Sequence, residues 1–238
     1  IGGLESFNRG VSHDLRGPLG GMSQLARMAA DAMARGDGSL AQRALPQIAS
    51  QCDASVKMVN AMLELARVGE TPAQHVPVDL RAVVASALDE VALSQPAARR
   101  MVVQVGDLPQ VLADPVLLRT AFVNLIGNAV KFARDVAEPR IEVEARADGR
   151  DVVLSVRDNG VGFPAEFAAR LFEPFFRAPG ASQEGHGLGL SLTRRAIEAM
   201  GGQVWAVAPP QGGAQLCVRL NGALLPAGLR ARVPAEPS

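Results

Sequence analysis

Ser12-His13-Asp14-Leu15-Arg16-Gly17-Pro18-Leu19 decides how the first third of the chain folds, through the apolar positions that run into it and out of it. Leu4, Phe7, Val11, Leu15, Pro18, Met22, Leu25, Ala29 and Ala32 recur in steps of three or four, which is one face of a long bundle helix. His13 lies two residues from both Val11 and Leu15, about 200° around that helix, so its imidazole turns away from the packed stripe toward solvent. Asp14, about 100° further on, carries a carboxylate that can accept an imidazole N–H and leave the other ring nitrogen as a nucleophile. Arg16 adds a cation suited to phosphate oxygens. Pro18 removes a backbone donor and bends the helix within about one turn of His13.

The Gly36-Asp37-Gly38 break predicts that this helix ends near Arg35, and Ser39 with Gln42 forms a capping-box pattern opening a second helix. On it Leu45, Ile48, Cys52, Val56, Val59, Leu63 and Ala66 repeat the same spacing. Pro46 marks either the start of that helix or a kink in it. Two such helices bury little alone, so residues 1–68 are expected to form a hairpin that pairs with a second copy as a homodimeric four-helix bundle. Residues 69–77, with Pro72, Pro77 and Gly69, read as a linker.

From Val78 the pattern changes. Helices are predicted over Leu80–Leu93, Pro115–Ala133 and Leu188–Met200, the second capped by Asp114, and strands at Met101–Val105, Gln110–Ala113, Arg140–Ala147, Val152–Arg157, Gln203–Ala208 and Gln215–Leu220. Their mixture without strict alternation predicts an α/β sandwich over 78–221, making the chain a multi-domain α and α+β protein. Residues 222–238, rich in Ala, Pro and Arg, are expected to form a flexible tail.

Lys plus Arg and Asp plus Glu both number 24, a balance that argues against nucleic acid as the main partner. The two cysteines, Cys52 and Cys217, fall in apolar patterns and are expected to be buried reduced thiols, which fits a cytoplasmic protein. No apolar run approaches the roughly 20 residues of a membrane span, and the chain opens without an initiator Met. It therefore reads as an excised fragment or a processed start, and any N-terminal sensor domain or membrane segment that belongs to it is expected to lie outside this sequence.

Four further stretches carry chemistry. Asn124 and Asn128 share one face of the Pro115–Ala133 helix, where amide oxygens can ligate Mg²⁺ and amide N–H groups can donate to phosphate; Lys131 adds positive charge beside them. Asp158-Asn159-Gly160-Val161-Gly162 presents a carboxylate at a strand end next to a glycine turn. Phe172-Glu173-Pro174-Phe175-Phe176-Arg177 follows in the long irregular segment between Gly160 and Gly187. Gly185-His186-Gly187-Leu188-Gly189 opens a helix, where backbone N–H groups can cradle phosphate.

The His13 stretch resembles the phosphoacceptor box of the sensor histidine kinases of two-component systems, usually Ser-His-Glu/Asp-Leu-Arg-Thr/Asn-Pro-Leu, with Gly17 where that family has Thr or Asn. The ordered set Asn124…Asn128…Lys131-Phe132, Asp158-x-Gly160-x-Gly162, Phe172 to Arg177 and Gly185-x-Gly187-x-Gly189 resembles the N, G1, F and G2 boxes of the family's ATP-binding domain, of the Bergerat or GHKL type. The resemblance spans residues 4–220. It implies that His13 is phosphorylated by ATP, with Asp14 as base or orienting partner, and that phosphoryl passes to an aspartate on a response-regulator receiver domain. It further implies that Asn128 ligates Mg²⁺ with Asn124 assisting, Lys131 and Arg177 contact phosphate, Phe132 lines the adenine pocket and Asp158 accepts the adenine amino proton. Gly160 and Gly162 would allow close approach of the nucleotide, Gly187 and Gly189 would bind phosphate, and residues 163–186 would form a mobile lid. Gly17 leaves the family's water-orienting phosphatase role unsupported. The alternatives are a GHKL-type ATPase, which lacks a Ser-His-Asp-Leu-Arg-x-Pro helix, and a non-catalytic nucleotide-binding dimeric scaffold.

Overall fold

The computed structural model describes residues 2–68, 71–179 and 187–225, with side chains from residue 17 onward except Pro18 and Lys57. The chain divides into two compact units, residues 1–64 and 65–238.

The first unit is a helical hairpin of α1 (Gly2–Ala34) and α2 (Gly38–Arg67). Gly36, at φ +80°, reverses the chain, and the Asp37 N–H returns to the Ala32 carbonyl at 2.9 Å to close the α1 terminus. Asp37 is the cap of α2, in place of the predicted Ser39: its Oδ1 accepts the Ser39 N–H at 3.1 Å and the Ser39 hydroxyl at 2.7 Å. The helix starts at Gly38, so the residue placed to cap it is the one before. Those two hydrogen bonds hold the Asp37 carboxyl below its ordinary range. Pro46 lies inside α2, well after its start.

On α1 the predicted stripe holds over the described side chains: Ala29 and Ala32 are buried, Met22 and Leu25 half-buried. On α2 a neighbouring row is buried instead. Ala41, Ala44, Ser55, Met58, Met62 and Leu65 turn inward, while Leu45, Cys52, Val56, Val59 and Leu63 are exposed. Ala41 and Ala44 cluster with Ala29. A bundle helix has two apolar flanks, one for its hairpin mate and one for whatever lies opposite, and spacing alone does not tell them apart. The expectation that Cys52 is buried is corrected for the same reason; its thiol lies 3.0 Å from the Met22 sulfur on the exposed side of the hairpin.

The second unit is built on a five-stranded mixed sheet in the order β2–β4–β5–β7–β6: β2 (Val102–Val105), β4 (Arg140–Asp148), β5 (Asp151–Asp158), β6 (Gln203–Val207) and β7 (Ala214–Leu220). Only β2–β4 is parallel. A smaller antiparallel pair joins β1 (Val76–Asp79) to β3 (Gln110–Ala113), with Val76 opposite Ala113. β1 corrects the sequence reading, which left Val76 and Pro77 in the linker. Gln74 donates its N–H to Asp114 Oδ2 at 3.0 Å, and His75 Nε2 lies 3.4 Å from the Met200 carbonyl, so this stretch is fastened to the second unit.

Helices α3 (Leu80–Ser94), α4 (Pro115–Ala133) and α5 (Gly189–Ala199) complete the core, with α4 packed between the other two. By length and composition α4 could cross a membrane, yet its apolar side, including Leu118, Leu125, Ile126 and Val130, is buried in this core. Asp79 and Asp114 cap α3 and α4 through bonds to the N–H groups two and three residues on. Cys217 is buried on β7, and the apolar surroundings push its thiol up to about 11.

The sheet does not end the unit. Residues 222–225, expected to begin the flexible tail, form a packed strap: Gly222 N–H bonds Asp151 Oδ1, Leu224 N–H bonds the Arg150 carbonyl, and the Ala223 carbonyl accepts the Leu112 N–H. Ala223 and Leu225 are buried, which the small and apolar Ala-Leu-Leu run permits. Residues 226–238 lie outside the described residues. Leu225→Ala should lower the stability of this unit by about 2–4 kcal/mol in urea denaturation; a change under about 0.5 kcal/mol would mean the strap carries no packing energy.

Candidate active site

The site grows from two periodicities that meet. Along β5, Val152, Leu154 and Val156 point into the core, and the same two-residue period delivers Asp158 to that side at the strand end, where it is 5% exposed. Along α4, the face turned from the core carries Asn124, Asn128 and Lys131, followed by Phe132. Between them lies a cavity of about 330 Å³ lined by these five residues and by Gly162, Arg177, Gly187 and Gly189. Nine of the sequence-predicted site residues are therefore brought to one cavity.

Burial raises the Asp158 carboxyl to about 6, against hydrogen bonds from the Gly160 and Ala214 N–H groups that favour the ionised form. The Gly160 bond measures 2.8 Å. Asn124 donates its Nδ2 to the Thr120 carbonyl at 2.9 Å, which fixes the side chain at the cavity wall. A methyl group at Gly189 would come within 2.7 Å of Asn124 Oδ1, so the absent side chain lets the start of α5 close on α4. The Lys131 ammonium sits 4.7 Å from the Phe132 ring centroid, a cation–π distance.

Two glycines also serve the packing around the cavity. Gly160 does not line the cavity; a methyl there would lie 2.3 Å from the Phe132 carbonyl, so it lets the β5 turn press against the end of α4. Gly187, at φ +69°, lines the cavity but also packs on the Phe175 backbone, whose N–H bonds the Gly187 carbonyl at 3.0 Å. Phe175 itself has φ +65°. Of the predicted lid, residues 165–170 form a short 3₁₀ turn, and Phe176 is held by the Arg170 guanidinium at 4.3 Å and the Phe167 ring at 5.8 Å.

Gly185 lies outside the described residues. His13, Asp14 and Arg16 are on α1, but their side chains are outside those described. Gly17 is exposed, with nothing within 4 Å of where a side chain would start. The sequence reading did not single out Val91, Ser94 and Gln95 at the end of α3, Leu171 in the irregular segment, or Ala214 and Leu216 on β7. Their apolar or neutral side chains carry no signature of chemistry, and only the fold brings them to the cavity.

A buried carboxylate, two amides and two cations lining one cavity suit a base bearing N–H donors joined to a polyphosphate. Fold and site thus define a nucleotide-binding α/β domain of the ATPase type, preceded by a helical hairpin that carries a histidine. Residues 113–223 match the family of histidine kinase-, DNA gyrase B- and HSP90-like ATPases, and residues 4–71 match the His Kinase A (phospho-acceptor) domain. The chain belongs to the histidine kinases. It is 34% identical over 208 residues to the sensor histidine kinase AruS of Pseudomonas aeruginosa, which covers 82% of this chain and 20% of AruS. Full-length ShkA, solved in complex with AMPPNP, matches 88% of this chain and 48% of its own at 27% identity and a TM-score of 0.60. The histidine kinase ThkA, solved in complex with the response regulator protein TrrA, matches 91% of this chain and 60% of its own with a TM-score of 0.69, a likeness of fold at 19% identity. The chain spans between 20% and 30% of the length of these curated relatives.

The raised Asp158 gives a test with a defined sign. The folded carboxyl holds its proton more tightly than the unfolded one, at about 6 against 3.8, so its own contribution to stability is full below about pH 4 and is lost as pH rises through about 6. Asp158→Asn should abolish that fall in the empty protein, leave it about 2 kcal/mol more stable at pH 7.5, and weaken adenine nucleotide binding. Thermal melts from pH 4 to 7.5 check the first part and calorimetric titration the second; a parallel pH dependence in the variant would contradict the assignment.

Proposed function

We propose that this chain is the autophosphorylating core of a two-component sensor, transferring the γ-phosphoryl of ATP to His13 and from there to an aspartate of a response-regulator receiver domain. The observation that carries the reading is the single cavity joining Asp158 to Asn124, Asn128 and Lys131, in a chain whose first helix bears Ser12-His13-Asp14-Leu15-Arg16.

In this reading Asp158 accepts the adenine amino N–H, Phe132 borders the base, and Lys131 and Arg177 offset phosphate charge. Mg²⁺ fits the amide oxygens that Asn124 and Asn128 bring to the cavity, because the cation favours few protein oxygens plus phosphate and water. Asn128, assisted by Asn124, would hold it, and the ion would supply charge neutralisation on the polyphosphate. A neutral imidazole, the majority form above about pH 6.5, attacks in line. One ring nitrogen bonds to the γ-phosphorus as the bond to the departing ADP oxygen breaks, while Asp14 holds the other ring N–H and the positive character it acquires. Catalysis on these terms is positioning and electrostatics.

The exposed apolar row of α2, with Leu45, Val56, Val59 and Leu63, supports a homodimer in which two hairpins cover each other. The ThkA–TrrA complex supports a response regulator as partner. ATP supply and two unpaired thiols favour the cytoplasm as the compartment of this core, and the longer relatives favour a sensor domain beyond it.

Incubation with Mg²⁺ and γ-labelled ATP should give an acid-labile, base-stable phosphoprotein in the wild type and none in His13→Gln. Label retained by His13→Gln would overturn His13 as the acceptor. With no side chain at Gly17 to orient water, the chain should not speed loss of partner phosphate in the absence of ADP; rapid, His13-dependent loss would refute that.

A further inference from the structure

We infer that Gln95 is a nucleotide-positioning residue, anchored on α4 between the two site asparagines and donating a side-chain N–H to the polyphosphate of the bound nucleotide. The inference rests on the ATP reading of the cavity. Gln95 lies between the stretches that match the two families, 4–71 and 113–223, so neither match assigns it a role.

α3 ends at Gln95, whose extended backbone and following Pro96 turn the chain away from the helix axis. Its side chain reaches across to α4, where Nε2 donates to the Gly127 carbonyl at 3.3 Å. Gly127 is buried between Asn124 and Asn128. A methyl there would stand 3.2 Å from Gln95 Nε2, so the glycine leaves room for the amide. A primary amide nitrogen carries two hydrogens, and one is engaged by Gly127. The second is a donor at the wall of the cavity, which Gln95 lines together with both asparagines.

Position along α4 selects the acceptor. Phe132 is at the carboxylate end, since the Val161 N–H next to the Asp158 turn bonds its carbonyl at 3.3 Å. Gly127 lies five residues earlier, about 7 Å along the axis. Gln95 therefore serves the amide-rich end, where an N–H donor meets anionic oxygen in a charge-assisted bond.

Calorimetric titration of the 238-residue chain with ATP, ADP and adenosine, for wild type, Gln95→Leu and Gln95→Glu, tests this. Gln95→Leu should weaken ATP and ADP about tenfold, the size of one hydrogen bond to a charged group, and leave adenosine unchanged. Gln95→Glu, close in shape but lacking the donor and adding negative charge, should weaken ATP further. It carries the comparison if the leucine variant does not fold. Equal losses for all three ligands would show a structural role and overturn the inference, as would unchanged ATP affinity in both variants. Failure of the wild type to bind ATP would instead overturn the reading of the cavity.

Discussion

Everything at the site depends on holding a carboxylate where the sheet buries it. Asp158 occupies the last inward position of β5, in register with three valine and leucine side chains that form the core. Its ionised form is disfavoured there, and two backbone N–H groups offset part of that cost. The carboxyl lines the cavity while accepting these two bonds. In the proposed reading a ligand offering N–H donors meets a carboxyl whose burial folding has already imposed.

The cavity stays open beside that carboxylate because backbones approach closely around it. Gly160 against the Phe132 carbonyl, Gly187 against Phe175 and Gly189 against Asn124 draw the β5 turn, the irregular segment and α5 onto α4. In each pair the missing side chain belongs to one element and the contact to another. The glycine spacing that resembles a phosphate cradle is, in two of these cases, first a packing requirement between protein segments. Phosphate access at Gly187 and Gly189 is compatible with it, since both line the cavity.

The hairpin depends on a different balance. Its buried row joins the small Ala29, Ala41 and Ala44, in contact with one another, to Met58 and Met62 further along α2, while Leu45, Val56, Val59 and Leu63 remain outside. Such a hairpin gains from covering its outer row as well, because apolar burial scales with area. The proposed dimer follows from that outer row, and so does the exposure of Cys52 in a single chain.

The sequence by itself determined the helices with strong period and polar caps, the strands with alternation, and the residues whose chemistry is distinctive. Asn124, Asn128, Lys131, Phe132 and Asp158 were legible because amides, a cation, an aromatic ring and a carboxylate stand at fixed spacing on α4 and at the end of β5. These are local facts, set by a helical or a two-residue repeat. Only the tertiary structure decided which apolar flank of α2 faces inward, that Val76 and Pro77 pair as a strand, that residues 222–225 pack as a strap, and that Gln95 reaches Gly127. Each of these joins segments distant in sequence, and a side chain with no chemical signature reveals its place only through the partner that the fold sets beside it.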